Sequence, residues 1–371
     1  MERYSTRWGS NIVCTGDEET THKHNDFTGL ERIEAAVNHE EPDRIPVFPL
    51  ITYALARHVG YTVFEFSHDP RKLFKAISYG YEKFGYDGII AYADVYLFAE
   101  AAGLKLEFPS DSVPNPSKSP INSIEDVEKL AVPDVYRDGR IPVLLEAIRL
   151  TSEKYGDKVA IYSGGQGPFS LAAEIRGLTN FLKDLYVNEE LASKLVKYAT
   201  EYMVELGKAQ AEAGAHILHL GDSFAGPSII SPNRFAVWAA PNLKEVFQAW
   251  RSCGAITSLH ICGDSSLIWP QIEETGTNIF EVDYLVNILE AKNFFNGKVC
   301  LMGNIDPARV LHRGAADNVI DEGRKCIMNA ASGGGYILGS GCLIMPGFPP
   351  ENISALVETA ESYGRYTYRA R

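Results

Sequence analysis

The sequence predicts an α/β chain folded as a single (β/α)8 barrel, a TIM barrel. Three observations carry that prediction. About eight short apolar runs of β-type composition recur along the chain, with helical segments between them. Glycine and polar residues collect where those runs end, which is where a barrel of this kind places chemistry. No G-x-G-x-x-G opens a helix after the first run, which weakens a dinucleotide-binding, doubly wound sheet.

The candidate strands are residues 45–51, 88–93, 159–164, 216–221, 256–262, 278–282, 299–304 and 336–339. Their nearly continuous apolar character suits strands covered on both faces. Between the first two, Asp69-Pro70 supplies an N-cap and a proline at the first helical position, and Gly85 follows the helix end. Ser231-Pro232 opens another helix in the same way, and Gly254 closes it. The segment 103–140, rich in Pro and Ser, breaks the alternation and reads as an excursion at the barrel mouth. Residues 1–28 are polar, lack the apolar region of a signal peptide, and read as an N-terminal arm before a barrel over 29–371.

Composition narrows the function classes. A net charge of −13, with no run of Lys and Arg, leaves no basic patch for a nucleic acid. No stretch approaches the roughly 20 apolar residues of a membrane helix. The cysteines at 14, 253, 262, 300, 326 and 342 are widely spaced, without a disulfide framework, and fit a reducing cytoplasm.

The most informative residues are His260-Ile261-Cys262-Gly263, completed by Cys342 after Gly339-Ser340-Gly341. Residues two apart in a strand share a face, so His260 and Cys262 can meet one target. Two thiols and an imidazole suit Zn²⁺ and leave a fourth position open, as catalytic zinc requires. The competing reading is a core imidazole beside inert buried thiols. Asp283 is a candidate fourth, exchangeable ligand, with Glu281 as its rival on the same strand. Asp94 and Asp222, at strand ends, read either as polar caps or as catalytic groups that orient substrate. Gln166, set among glycines, reads either as a donor to a substrate oxygen or as part of a turn into the next helix, and Asn304 either as a substrate anchor or as a partner for backbone groups. His219 reads as packed, and Cys14, Cys253, Cys300 and Cys326 as structural.

Several segments carry a family resemblance. The runs Glu31-Arg32-Ile33-Glu34-Ala35-Ala36 and Pro42-Asp43-Arg44-Ile45-Pro46-Val47 resemble the opening of the uroporphyrinogen decarboxylase superfamily. Asp94-Val95 with Glu100-Ala101-Ala102-Gly103, Gly167-Pro168-Phe169-Ser170, Gly303-Asn304-Ile305-Asp306-Pro307 and Pro349-Pro350-Glu351 continue the likeness. It spans about Gly29 to Tyr363 and implies one barrel. The decarboxylases carry an Arg-Gln-Ala-Gly-Arg motif after the first strand. This chain reads Pro49-Leu50-Ile51-Thr52-Tyr53-Ala54 there, without an arginine for a tetrapyrrole carboxylate.

His260-x-Cys262 and Cys342 instead resemble the zinc ligands of the cobalamin-dependent methyltransferases, including the coenzyme M methyltransferases of methanogens. Family members also bring a carboxylate to the zinc from the next strand, in agreement with Asp283 or Glu281. The resemblance implies methyl transfer between a small substrate (a methyl ether, methylamine or thiol) and the cobalt of methylcobalamin or a Co(I) corrinoid. No Asp-x-His-x-x-Gly cobalamin signature occurs here, so the corrinoid is expected on a separate partner protein. Aromatic richness and divergence around Leu338-Gly339-Ser340-Gly341 tilt the reading toward the substrate-demethylating direction. The alternatives are a metal-free decarboxylase and a non-catalytic scaffold that binds zinc or corrinoid.

Overall fold

The computed structural model describes residues 27–109 and 111–366. Most of the N-terminal arm, with Cys14, lies outside them. Eight strands form one parallel sheet: β1 (Val47–Phe48), β2 (Gly88–Ile90), β3 (Ala160–Gln166), β4 (Ile217–Gly221), β5 (Ile256–His260), β6 (Ile279–Glu281), β7 (Cys300–Ile305) and β8 (Tyr336–Ser340). Consecutive strands from β2 to β8 pair in order, and β8 pairs with β1. The ring is interrupted only between β1 and β2, where the Asp87 backbone N–H still donates to the Val47 carbonyl at 2.8 Å. All eight expected runs are strands of a nearly closed barrel with helices around it.

The seam explains part of the sequence opening. Asp87, 2% exposed, accepts from Arg44 at 2.6 Å, from Arg32 at 3.1 Å and from the Val47 N–H at 2.7 Å. Arg32 also bridges Asp43. A buried carboxylate held by two guanidinium groups and a backbone donor fixes β1 beside β2, and each partner answers the desolvation of the others. Strand β1 is shorter than its apolar run because Pro46 and Pro49 flank it and cannot donate to a ladder.

Helix punctuation follows the sequence with one difference. Asp69 accepts from the Arg71 and Lys72 N–H groups, Pro70 opens the helix Pro70–Phe84, and Gly85 ends it at φ 71°. The helix opened by Ser231 does not run on to Gly254. It stops at Trp238, and a second helix spans Ala240–Ser252. Pro241 supplies the reason, because it has no N–H to donate to the Val237 carbonyl four residues back and its ring crowds that carbonyl, while it fits the first turn of a new helix. The excursion after Gly103 contains a small antiparallel hairpin, Lys105–Glu107 with Asn115–Lys118, and a short helix, Ile124–Glu128. At its end Arg140 packs back into the barrel mouth.

Candidate metal centre

Strand parity builds the site. On β4, Leu218 and Leu220 are fully buried, whereas His219 and Gly221 alternate toward the cavity at the carboxyl end of the barrel. On β5 the same alternation directs Ser258 and His260 inward, and on β6 it directs Glu281. Cys262 follows two residues past His260, and Cys342 follows β8 after Gly341. The structure brings the three together: one ligand atom from each of His260, Cys262 and Cys342 lies within 4.8 Å of the others.

The donor set fits zinc. His260 Nε2 lies 3.2 Å from Cys262 Sγ, while its Nδ1 faces the Glu281 carbonyl at 3.0 Å. A backbone acceptor at Nδ1 selects the tautomer that leaves Nε2 free for a metal. Two sulfurs and one imidazole are a zinc-type set with a fourth position to spare. The thiol pair shares its charge unevenly. The Cys342 hydrogen bond, followed by His260, pulls Cys262 well below the usual thiol range against its burial, and Cys342 is pushed upward by the same contact. Burial opposes charge on His260, but Cys262 and Glu281 outweigh it and lift the imidazole to about 9.

Beside the triad, Glu281 Oε1 accepts from Tyr162 Oη at 2.6 Å, Ser258 Oγ at 2.5 Å and His219 Nδ1 at 2.7 Å. Burial pushes this carboxyl up, but His219 and the donors prevail and hold it at about 2. His219 therefore belongs to the cavity and not to the packed core. Its inward parity, opposite to Leu218 and Leu220, was the available sequence signal.

The remaining candidates separate. Gln166 lines the cavity, but its amide nitrogen is already used, donating to the Val95 carbonyl and to Glu174 Oε1, both at 2.5 Å. The structure does not bring Asp94, Asp222, Asn304 or Asp283 to the cavity wall. Asp94 is fully buried in an ion pair with Arg140 at 2.5 Å. Asp222 Oδ1 accepts from the Ser170 N–H at 2.8 Å and anchors the helix Pro168–Arg176. Burial raises the Asp222 carboxyl to about 6. Asn304 donates to the Asp283 and Val286 carbonyls, and Asp283 Oδ1 accepts from the Leu285 N–H, so both stabilise the turn after β6. Glu174, on the helix after β3, lines the cavity and was not legible as a site residue.

The cavity is about 250 Å³, walled by Leu50, Tyr92, Tyr96, Tyr162, Phe224 and Leu343. Among the described residues no lysine or arginine lines it. The profile of the uroporphyrinogen decarboxylase (URO-D) family matches residues 28–363. The chain belongs to that family. Within it, the chain is similar to the methylcobamide:CoM methyltransferase MtbA of Methanosarcina acetivorans, 29% identical over 91% of this chain and 99% of the relative. It is 30% identical to a methylated-thiol–coenzyme M methyltransferase of Methanosarcina mazei, over 79% of this chain and 77% of the relative. A solved methyltransferase from Methanosarcina mazei superposes with a TM-score of 0.84 at 27% identity, covering 91% of this chain and 99% of that one. Its relatives thus include enzymes of corrinoid-linked methyl transfer.

Proposed function

We propose that this protein is a zinc-dependent methyltransferase that moves a methyl group between a small substrate and the cobalt of a separate corrinoid protein, in the substrate-demethylating direction. The observation that carries the reading is the convergence of His260, Cys262 and Cys342 on one point of the cavity wall. Zinc bound there supplies Lewis acidity, which polarises a methylated heteroatom or holds a thiol as thiolate at neutral pH. Cys262 and Cys342 would hold it through sulfur and His260 through Nε2, with Nδ1 facing the Glu281 carbonyl. Of the two carboxylate candidates for the fourth position, Glu281 would be the one on the cavity side. Glu281 stands on the cavity wall, whereas Asp283 is engaged in its turn. His219, Tyr162 and Ser258 orient the Glu281 carboxylate.

Docking of the cobalt carrier over the mouth is supported by exposed apolar side chains in the segments after β5, β6 and β8: Leu267, Tyr284, Leu285 and Met345. A cytoplasmic location belongs to the same proposal; no described helix is long and apolar enough to cross a membrane. The decarboxylase alternative is disfavoured by the size and charge of the cavity. At about 250 Å³ it is below the ~300–1,000 Å³ of drug-sized sites, and its described lining offers no cation to a polycarboxylate. The test is Co(I) corrinoid oxidation state followed by absorbance, with zinc-loaded protein and methylated substrates. Methyl-Co(III) formation that is lost on chelation supports the proposal. Zinc binding without turnover for any donor would leave only the scaffold alternative.

A further inference from the structure

The cavity wall opposite in kind to the metal triad is formed by Gln166 and Glu174. Gln166 is 6% exposed, and its orientation is fixed because Nε2 faces two acceptors, the Val95 carbonyl and Glu174 Oε1. That leaves Gln166 Oε1 buried without a partner, and Glu174 Oε2 is in the same condition. Buried oxygens without donors are costly, roughly 1–3 kcal/mol each, and uncommon away from binding sites. Burial, reinforced by Asp94 and Asp222, pushes the Glu174 carboxyl well above the usual carboxylate range despite the Gln166 hydrogen bond. If Glu174 is ionised, two acceptors lack donors; if it is protonated, Gln166 Oε1 still lacks one. In either form the pair calls for a donor that the described protein does not supply.

We propose that Gln166 and Glu174 form a subsite for the N–H or O–H donor of a methylated substrate that carries no anionic group, such as a protonated methylamine or a methoxyphenol. The inference rests on the methyltransferase reading for the identity of the site, and it narrows the substrate class. With no described lysine or arginine in the wall, a sulfonate or carboxylate finds no counter-charge among the described side chains there. The aromatic wall of Tyr92, Tyr96 and Phe224 accepts either a ring or an ammonium group. Gln166 is thus a specificity residue through its carbonyl oxygen and not through its amide N–H groups.

The test is binding by calorimetry to the full zinc-loaded chain, using two pairs of probes that differ in one donor. The first pair is 2-methoxyphenol against 1,2-dimethoxybenzene; the second is trimethylammonium against tetramethylammonium. The donor-bearing member of at least one pair is expected to bind about tenfold more tightly or better, and the pair that discriminates identifies the donor as O–H or N–H. Glu174→Leu is expected to bring that ratio close to one. Glu174→Gln keeps an acceptor and controls for folding, together with the thermal transition of each variant; it retains discrimination for the O–H pair. Equal binding within both pairs, no binding of any probe, or tighter binding of 2-mercaptoethanesulfonate than of every donor-bearing probe overturns the proposal. Failure of the methyltransferase reading would show separately, as absence of zinc or of cobalt turnover.

Discussion

Replacing Asp94 with alanine tests whether this strand-end carboxylate is structural. Asp94 is fully buried and pairs with Arg140 Nη1 at 2.5 Å, and Arg140 is itself only 6% exposed. Removing one partner of a buried pair costs about 3–5 kcal/mol, because the other charge stays buried. Arg140 keeps Glu100 at 2.6 Å, so the lower end, about 3 kcal/mol, applies. Asp94 Oδ1 also accepts from the Tyr96 N–H at 3.0 Å, just before the helix Leu97–Ala101, a hydrogen bond that adds about 1 kcal/mol. Asp94→Ala should therefore lower stability by about 4 kcal/mol in urea titrations followed by circular dichroism. Asp94→Asn, which keeps the oxygen for Tyr96, should lose less. In Arg140→Ala/Asp94→Ala the two losses should fall well short of adding, as expected for groups in contact. Zinc per folded chain should not change, because Asp94 lies off the cavity wall. Destabilisation below about 1 kcal/mol, the lower bound for a buried unpaired group, or loss of zinc from a folded Asp94→Ala protein, would refute the reasoning.

The other predictions concern separate parts of the molecule. Burial raises the Asp222 carboxyl in the folded protein to about 6, above the ordinary aspartate value of 3.8. The native state then binds more protons than the unfolded state between those values, so this group's contribution to stability falls as pH rises from 3.8 to 6. Asp222→Asn should flatten that part of the stability–pH curve, measured by urea midpoints; an unchanged slope contradicts the assignment. Gly207→Ala would place a methyl group 1.9 Å from Trp250 Nε1, which donates to the Met203 carbonyl. It should destabilise by about 1–3 kcal/mol and shift tryptophan fluorescence, and a neutral effect would mean that the helices pack less closely. Chelation should make Cys262 and Cys342 newly accessible to alkylation, while Cys300 stays protected because burial pushes its thiol up to about 12. Mass spectrometry of labelled peptides reads this, and equal labelling of Cys262 with and without chelator would count against a bound metal.

Much of the fold was legible because the barrel strands are apolar on both faces and end at glycine or polar residues. Short flanked runs such as Val47–Phe48 were placed correctly, and only their length was set by Pro46 and Pro49. The helix break at Ala239 was also legible in Pro241, which cannot continue the backbone ladder of the helix before it but fits the first turn of the next. At the site, spacing paired His260 with Cys262, and their ligand atoms do lie together, although the strand ends at His260 and Cys262 follows it. Strand-end position alone was a weaker guide. It placed Asp94 and Asp222 near the mouth but gave no view of Arg140 or the Ser170 N–H, which come from distant segments and engage them. Glu174 lay within a helix, where a glutamate reads as surface. Its burial arises only once that helix packs against the helix Glu189–Glu212 and the turn Ser223–Ala225, with the Asp222 carboxylate held at its first turn.

The most direct measurement is metal content: zinc per chain in chelator-washed, zinc-reconstituted protein, beside Cys342→Ala and Cys262→Ser prepared identically. The convergence of His260, Cys262 and Cys342 predicts close to one zinc in the parent and little in either variant, with all three proteins folded. No zinc in the parent, or equal zinc in parent and variants, would contradict the metal centre and the methyl transfer built on it.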